Sequence, residues 1–164
     1  MATKDYFLKL DGIKGESTDA KHKGEIEIES FSWGETNAGS FSSAPGAGGG
    51  TGKVSFQDLH LTKLADISST NLMYHCASGK HIPEATLTVR KAGEQQQEYY
   101  KIKLSDVLVS SYQSGGHSGG ELIPTDQFSL NFAKIQFEYY PQDAKGKLGS
   151  PEKAGWDLKG NKKL

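Results

Sequence analysis

Apolar residues in this chain recur at every second position more clearly than at helical spacing. Ala85, Leu87 and Val89 alternate with Glu84, Thr86, Thr88 and Arg90, the period of a strand with one buried face. Tyr6, Leu8 and Leu10 open the chain in the same way, and Tyr100, Ile102, Leu104 and Leu108 mark one face of a longer strand interrupted by Asp106. Two segments change phase midway. In EIEIESFSWG, Ile26 and Ile28 give way to Phe31 and Trp33 near Ser30; further on, Leu130 and Phe132 give way to Ile135 and Phe137 near Ala133. A bulge, or a strand lying in two packed environments in turn, produces such a shift. It suits a rolled or closed sheet whose outer face also meets something apolar.

One short helix is predicted. Ser69 caps it, Leu72, Met73 and Cys76 supply its apolar stripe, and Gly79 ends it in the left-handed conformation. With about two to three turns it is too short to stand alone and must pack on the sheet. Glycine-rich loops near 36–52 and 114–120 and a polar tail over 141–164 punctuate the rest. In the tail, Leu148, Trp156 and Leu158 are the residues able to dock. With no internal repeat and no boundary in composition, residues 1–164 read as one mainly β domain.

Composition adds exclusions. The chain has 164 residues, 35% hydrophobic and 24% charged, enough for a sizeable core. Its 19 basic and 20 acidic residues form no basic cluster, so the footprint of a nucleic-acid binder is missing. Apolar runs of a few residues imply no membrane span, and MATKDYFLKL enters strand-like sequence without a charged-then-apolar leader. A lone cysteine, Cys76, fits synthesis in a reducing cytoplasm. If the protein leaves the cell, it leaves folded or by an unusual route.

Each chemical motif reads better as structure. AGGGTGK at 47–53 lacks the Ser or Thr that a phosphate-binding loop places after its Lys; Val54 follows, and VSFQDLHL is strand-like, so this is a glycine-rich loop between strands. GHSGG at 116–120 centres Ser118 in the pattern of a serine nucleophile, but no histidine follows His117 and the next segment looks like strand, so it reads as a hairpin loop. Cys76 beside His75 and near His81 suggests a thiol or metal site, yet neighbours in a helix point to different faces, and the five histidines show no i, i+4 pair. Asp58, Asp66, Asp106 and Glu121 lie near apolar segments with no spacing that forces two together; capping, turns and ion pairs with Lys63, Lys80 or Arg90 suit them. The strand aromatics Phe31, Trp33, Tyr99, Tyr100, Tyr112, Tyr139 and Tyr140 suit core or subunit contact better than ligand stacking. The expectation is no catalytic residue, no cofactor and no metal.

Taken in order, KGEIEIESFSWG at 23–34, the glycine loop, GKVSFQDLHLTK at 52–63, SSTNLMYHCASGKH at 68–81, LTVRKAG at 87–93, YYKIKLSDVLVSSYQSGG at 99–116, LNFAKIQFEYYPQ at 130–142 and the tail segment GWDLKGNKK resemble the Hcp family. These are the hemolysin-coregulated proteins of the bacterial type VI secretion tube. One departure is Thr70, where the family often has Pro; Ser69 still offers a cap. The resemblance implies a small β-barrel of two packed sheets with one short flanking helix, like a contractile-phage tail-tube protein. It implies homo-hexameric rings stacked into a tube, driven by a sheath with a spike protein at the tip and exported by type VI secretion. Small effector proteins would ride in the lumen. It implies neither catalysis nor an appended toxin domain, and neither nucleic-acid binding nor membrane insertion. By the same resemblance Ser32, opposite in direction to Phe31 and Trp33, faces the lumen. The extended loop with Phe41, Ala47, Gly48, Gly49 and Gly50 reaches neighbouring subunits or the next ring. Three other readings share parts of this pattern: a phage tail-tube protein, a monomeric ligand-binding barrel and a hydrolase built on Ser118.

Overall fold

The alternation at Ala85–Val89 is the middle of a ten-residue strand, and strands account for most of the remaining order. The structure is a computed structural model that describes residues 4–39, 52–91, 95–120 and 122–164. In chain order the elements are β1 (Lys4–Leu10), β2 (Ile26–Ile28), β3 (Ser30–Ser32), β4 (Glu35–Asn37), β5 (Val54–Phe56), β6 (Leu59–Leu64), α1 (Ser68–Ser78), β7 (Ile82–Lys91), β8 (Glu98–Gly115), β9 (Thr125–Tyr139), β10 (Glu152–Asp157) and β11 (Lys162–Lys163). Every ladder is antiparallel. One sheet runs β11-β10-β9-β8-β7-β1-β2, with β6 on the first half of β9 and β3 on β6; β4 and β5 form a separate hairpin. Leu8, Ile26, Leu59, Leu61, Leu72, Leu87, Ile102, Val107 and Leu130 are sealed in the core between these strands and the helix. Each such side chain contributes roughly 1.5–3 kcal/mol by leaving water.

The first phase change is a change of partner. β2 pairs with β1, and β3, one residue on, pairs with β6. Glu29 sits between them and donates its N–H to the Thr62 carbonyl at 2.8 Å. The ends of the sheet therefore meet through one residue of chain rather than a strand ladder, so the expected barrel is rolled but not closed by hydrogen bonds.

The second change is sharper than the sequence suggested. Ile102 and Leu104 of β8 are buried, and then so are Val107 and Val109. Leu108, expected beside Leu104, lies half-buried on the opposite side. The strand turns over at Asp106, a left-handed residue with φ 54°, and the β8–β9 ladder skips Asp106 and Ala133. The Ala133 carbonyl is taken instead by the Leu158 N–H at 2.9 Å. A register shift between Val109 and Ser111 adds a bulge further along.

The helix exists where expected but is capped differently. Ile67 holds the N-cap position without a side-chain bond, while Asp66 Oδ1 accepts the Ser68 N–H at 2.8 Å. Ser69 lies inside the first turn and its hydroxyl accepts the Asp66 N–H at 3.0 Å. Gly79 ends the helix at φ 69°, as predicted. The buried stripe is Leu72 and His75 with Cys76 half-buried; Met73 is 53% exposed, because position i+1 from Leu72 points away from the sheet.

The tail is more ordered than a polar tail. β10 pairs with the second half of β9, β11 folds back on β10, and Trp156 and Leu158 pack on the core. Leu148 bridges Gln142. A strap over 11–25, also missed, covers the outer side of β1 and β7. Gly15 runs so close to the chain that a Cβ there would lie 2.4 Å from the Glu25 carbonyl oxygen. Beneath the strap, Phe7 stacks on His22 with centroids 4.4 Å apart, and the Arg90 guanidinium lies 4.8 Å from the Phe7 ring centre.

Candidate functional site

Ser32 ends β3 with its side chain exposed, on the face opposite the core residues Leu61 and Phe128. Strand register surrounds it with particular neighbours. Ser32 lies across from His60, His60 from Ser129, and Ser129 from Ser111. One row along, Ser30, Thr62, Gln127 and Gln113 align in the same way. All of these but the buried Ser129 line, with Phe31, Leu61 and Phe128, a shallow cleft of about 380 Å³. The bulge in β8 places both Ser110 and Ser111 against Ser129: the Ser110 hydroxyl is 2.7 Å from that of Ser129 and donates to Asp58 Oδ2 at 2.6 Å. Asn131 Nδ2 donates to the other Asp58 oxygen at 2.9 Å. The hydroxyls are therefore held by one another and by Asp58. Among the described residues no hydrogen bond joins His60 to Ser32, and the face they share is a polar surface.

Phe41, Ala47, Gly48, Gly49 and Gly50, the expected contact residues, lie outside the described residues. The base of their loop is described: the β4–β5 hairpin, closed by the Gly52 N–H donating to the Ala38 carbonyl at 3.2 Å. A strand, not a helix, follows Lys53, which leaves that loop without the dipole of a phosphate site. Beside the hairpin, Trp33, Val54, Phe56, Phe137 and Trp156 line a groove of about 690 Å³. Here Trp33 Nε1–H donates to the Tyr100 hydroxyl at 3.1 Å, and burial pushes the Tyr100 phenol up.

The other motifs are structural in form. Ser118 sits in an exposed turn where the His117 ring accepts the Gly119 N–H at 3.0 Å. His75 Nδ1 lies 2.8 Å from the Asn71 carbonyl one turn back, while Cys76 faces the core. Asp66 pairs with Lys63 as the sequence suggested, and so does Asp126, which the sequence did not single out. The Lys63 side chain is fully buried and donates to Asp66 Oδ1 at 2.8 Å, Asp126 Oδ2 at 2.9 Å, Ser69 Oγ at 3.1 Å and the Leu64 carbonyl at 3.2 Å. Burial alone would raise the Asp126 carboxyl, but hydrogen bonds from Ser69 and Lys63 and the Lys63 charge hold it below the usual range. Under the strap, the Arg90 guanidinium binds Asp19 through both amino groups and Asp5 at 3.2 Å. That hydrogen bonding lowers the Asp19 carboxyl from 3.8 to about 2, against a smaller opposing effect of burial. The His22 ring is held by Glu25 and by Glu98, the latter at 2.7 Å.

Comparison with known proteins gives this arrangement a family. Residues 7–139 match the family described as "Type VI secretion system effector, Hcp". The chain is 51% identical over 159 residues to Protein hcp1 of Pseudomonas aeruginosa, covering 96% of each. The chain belongs to the Hcp family. Among solved structures, a type six secretion system protein superposes with a TM-score of 0.91 at 35% identity, covering 98% of this chain and 99% of that one. Hcp1 from Salmonella typhimurium gives a TM-score of 0.82 at 37% identity, covering 99% and 100%. The Hcp family is one of structural, secreted tube proteins. Among the described residues no helix is long and apolar enough to cross a membrane. The alternation of His60 with Leu59 and Leu61 signals an outward side chain in the sequence, but only register sets it opposite Ser32.

Proposed function

We propose that this protein is a subunit of the type VI secretion inner tube. Copies form hexameric rings, rings stack into a hollow tube, and a sheath propels that tube with a spike protein at its tip. The protein is made in the cytoplasm and exported by the system it serves, with small effector proteins held in the lumen against the Ser32 face. The observation that carries this reading is the end-to-end match to Protein hcp1, 51% identical over 96% of both chains. The exposed polar face around Ser32 supports its outlook onto a water-filled pore. The end of the sheet away from the Glu29 seam is the two-residue strand β11, a short edge of the kind that a neighbouring subunit covers. A ring contact of this type closes by symmetry, while ring-on-ring stacking stays open-ended. In this reading Phe41, Ala47, Gly48, Gly49 and Gly50 contact a neighbouring subunit or ring from the end of the β4–β5 hairpin.

Light scattering on the purified protein, with negative-stain electron microscopy of the same fraction, tests this. Hexameric rings with an open centre are the expected result. A monomer at every concentration, with no rings on the grid, would overturn the reading.

A further inference from the structure

The strap over β1 and β7 is bonded mainly to itself. From Lys14 to Glu25 the sequence KGESTDAKHKGE holds a single apolar side chain, Ala20, and it is exposed. Among the described residues, every backbone hydrogen bond made by this span stays inside it. The Gly15 N–H donates to the Gly24 carbonyl at 2.8 Å, Ser17 to Glu25 at 3.0 Å, Gly24 to Ser17 at 2.8 Å, Glu25 to His22 at 3.1 Å and His22 to Asp19 at 3.2 Å. The root of the strap is fixed separately: Ile13 is buried in the core and donates to the Leu10 carbonyl at 3.1 Å, and Gly12, at φ 86°, turns the chain just before it. Two side chains carry the polar contacts from the span to the sheet. Asp19 binds Arg90, and His22 meets Glu98 and the face of Phe7. We propose that residues 14–25 form a lid that lifts as one piece while the sheet stays folded, with the Asp19–Arg90 pair as its latch.

Lifting the lid breaks few contacts and strands no charge. A compact loop whose ends lie together and whose amides are paired internally moves without giving up backbone bonds. On the sheet side, Arg90 keeps Asp5 at 3.2 Å when Asp19 leaves, and Glu98 keeps Lys101 at 3.0 Å when His22 leaves. On the lid side, His22 keeps Glu25, and Asp19 keeps the Lys21 and His22 amides. Each ionised group therefore has a second partner in place, unlike a buried pair whose loss leaves one charge unanswered. The Asp19 carboxyl is lowered to about 2 mainly by its hydrogen bond to Arg90, as a latch that favours the closed lid requires. The apolar cost falls on Phe7, 4% exposed beneath the His22 ring, which the lifted lid uncovers together with the Arg90 guanidinium. Segments with so few buried apolar contacts open at free energies well below that of the whole fold. β7, by contrast, lies between β1 and β8 and buries Leu87 and Val89.

Native-state hydrogen exchange of the full chain under increasing urea tests this. The amides of Gly15, Ser17 and Gly24 should be protected, yet exchange at least about 100-fold faster, relative to their free rates, than those of Leu87 and Val89. Lid exchange should change little with urea below the unfolding transition, because a lifted lid exposes little new surface, while exchange in β7 rises steeply. Asp19→Asn should speed lid exchange at least about fivefold by weakening the closed state. Val109→Ala, in the core of the other half of β8 from Glu98, should speed exchange in β7 and leave the lid amides unchanged, since the sheet is intact in both positions of the lid. Lid amides that share the free energy and urea slope of β7 would mean one cooperative unit and overturn the proposal. So would lid amides without protection, or an Asp19→Asn variant whose lid exchanges at the parent rate. The urea series on the parent makes the main distinction without relying on any variant to fold.

Discussion

Lys63 is the residue where charge and burial conflict most directly, and its surroundings resolve the conflict. A fully buried ammonium is tolerable here because two carboxylates, a hydroxyl and a carbonyl receive it. Lys63→Ala leaves Asp126 charged and buried, and should cost about 3–5 kcal/mol by urea unfolding. Lys63→Met combined with Asp126→Leu should recover most of that loss, since an apolar pair of similar volume avoids the stranded charge. Asp19 makes a pH prediction. Its carboxyl is lowered to about 2 in the folded protein, so the unfolded chain binds the proton first as acid is added. The stability it contributes is complete above about pH 4 and is lost as pH falls through about 2. Asp19→Asn should therefore flatten the acid limb of a stability curve between those values, and an unchanged limb would assign the strap's acid response elsewhere. Neither cluster was legible beforehand. Asp66 could be paired with Lys63 by their short separation, but Asp126 is sixty-three positions from Lys63 and meets it only through the β6–β9 register.

Among the elements, the clean alternation of β7 and the positive-φ glycine after α1 were readable because both express local geometry. The turnover of β8 was not. Asp106 looked like an interruption of one continuous face, whereas its left-handed backbone rotates the following residues so that Val107 and Val109 replace Leu108 in the core. Its carboxylate is held by His81 at 2.7 Å and by Lys159 at 3.2 Å, contacts from two distant segments that help keep this conformation. Asp106→Val places a β-branched residue at φ 54° and should cost about 1–2 kcal/mol. Asp106→Gly should cost less, despite losing two exposed ion pairs, because glycine adopts that conformation freely. Chemical denaturation of the two variants checks the order, and a more stable Val variant would contradict it. The helix teaches a similar lesson: Ser69 belonged to its start, but tertiary bonding to Asp126 drew its hydroxyl into the Lys63 network and left Asp66 to accept the first free amide.

At the level of the whole molecule, the polar face exists because four strands remote in sequence lie side by side. Ser32→Trp is expected to leave melting and ring size unchanged, since the side chain is exposed, while reducing the amount of cargo held in the ring. Mass and melting measured alongside cargo retention would separate that outcome from misfolding, and full retention would count against Ser32 as a lumen residue. The sequence by itself determined that the chain is mainly β with one short helix, that its phase changes near Ser30 and Ala133, and that its segments follow the Hcp order. Those properties are written in nearest-neighbour spacing and in segment identity. Only the tertiary structure decided that the sheet joins its ends through Glu29, that the tail docks as strands, and which polar residues stand beside Ser32. Cross-strand register and ladder closure depend on contacts between residues far apart in the chain, and the spacing of a single strand carries no record of its partner.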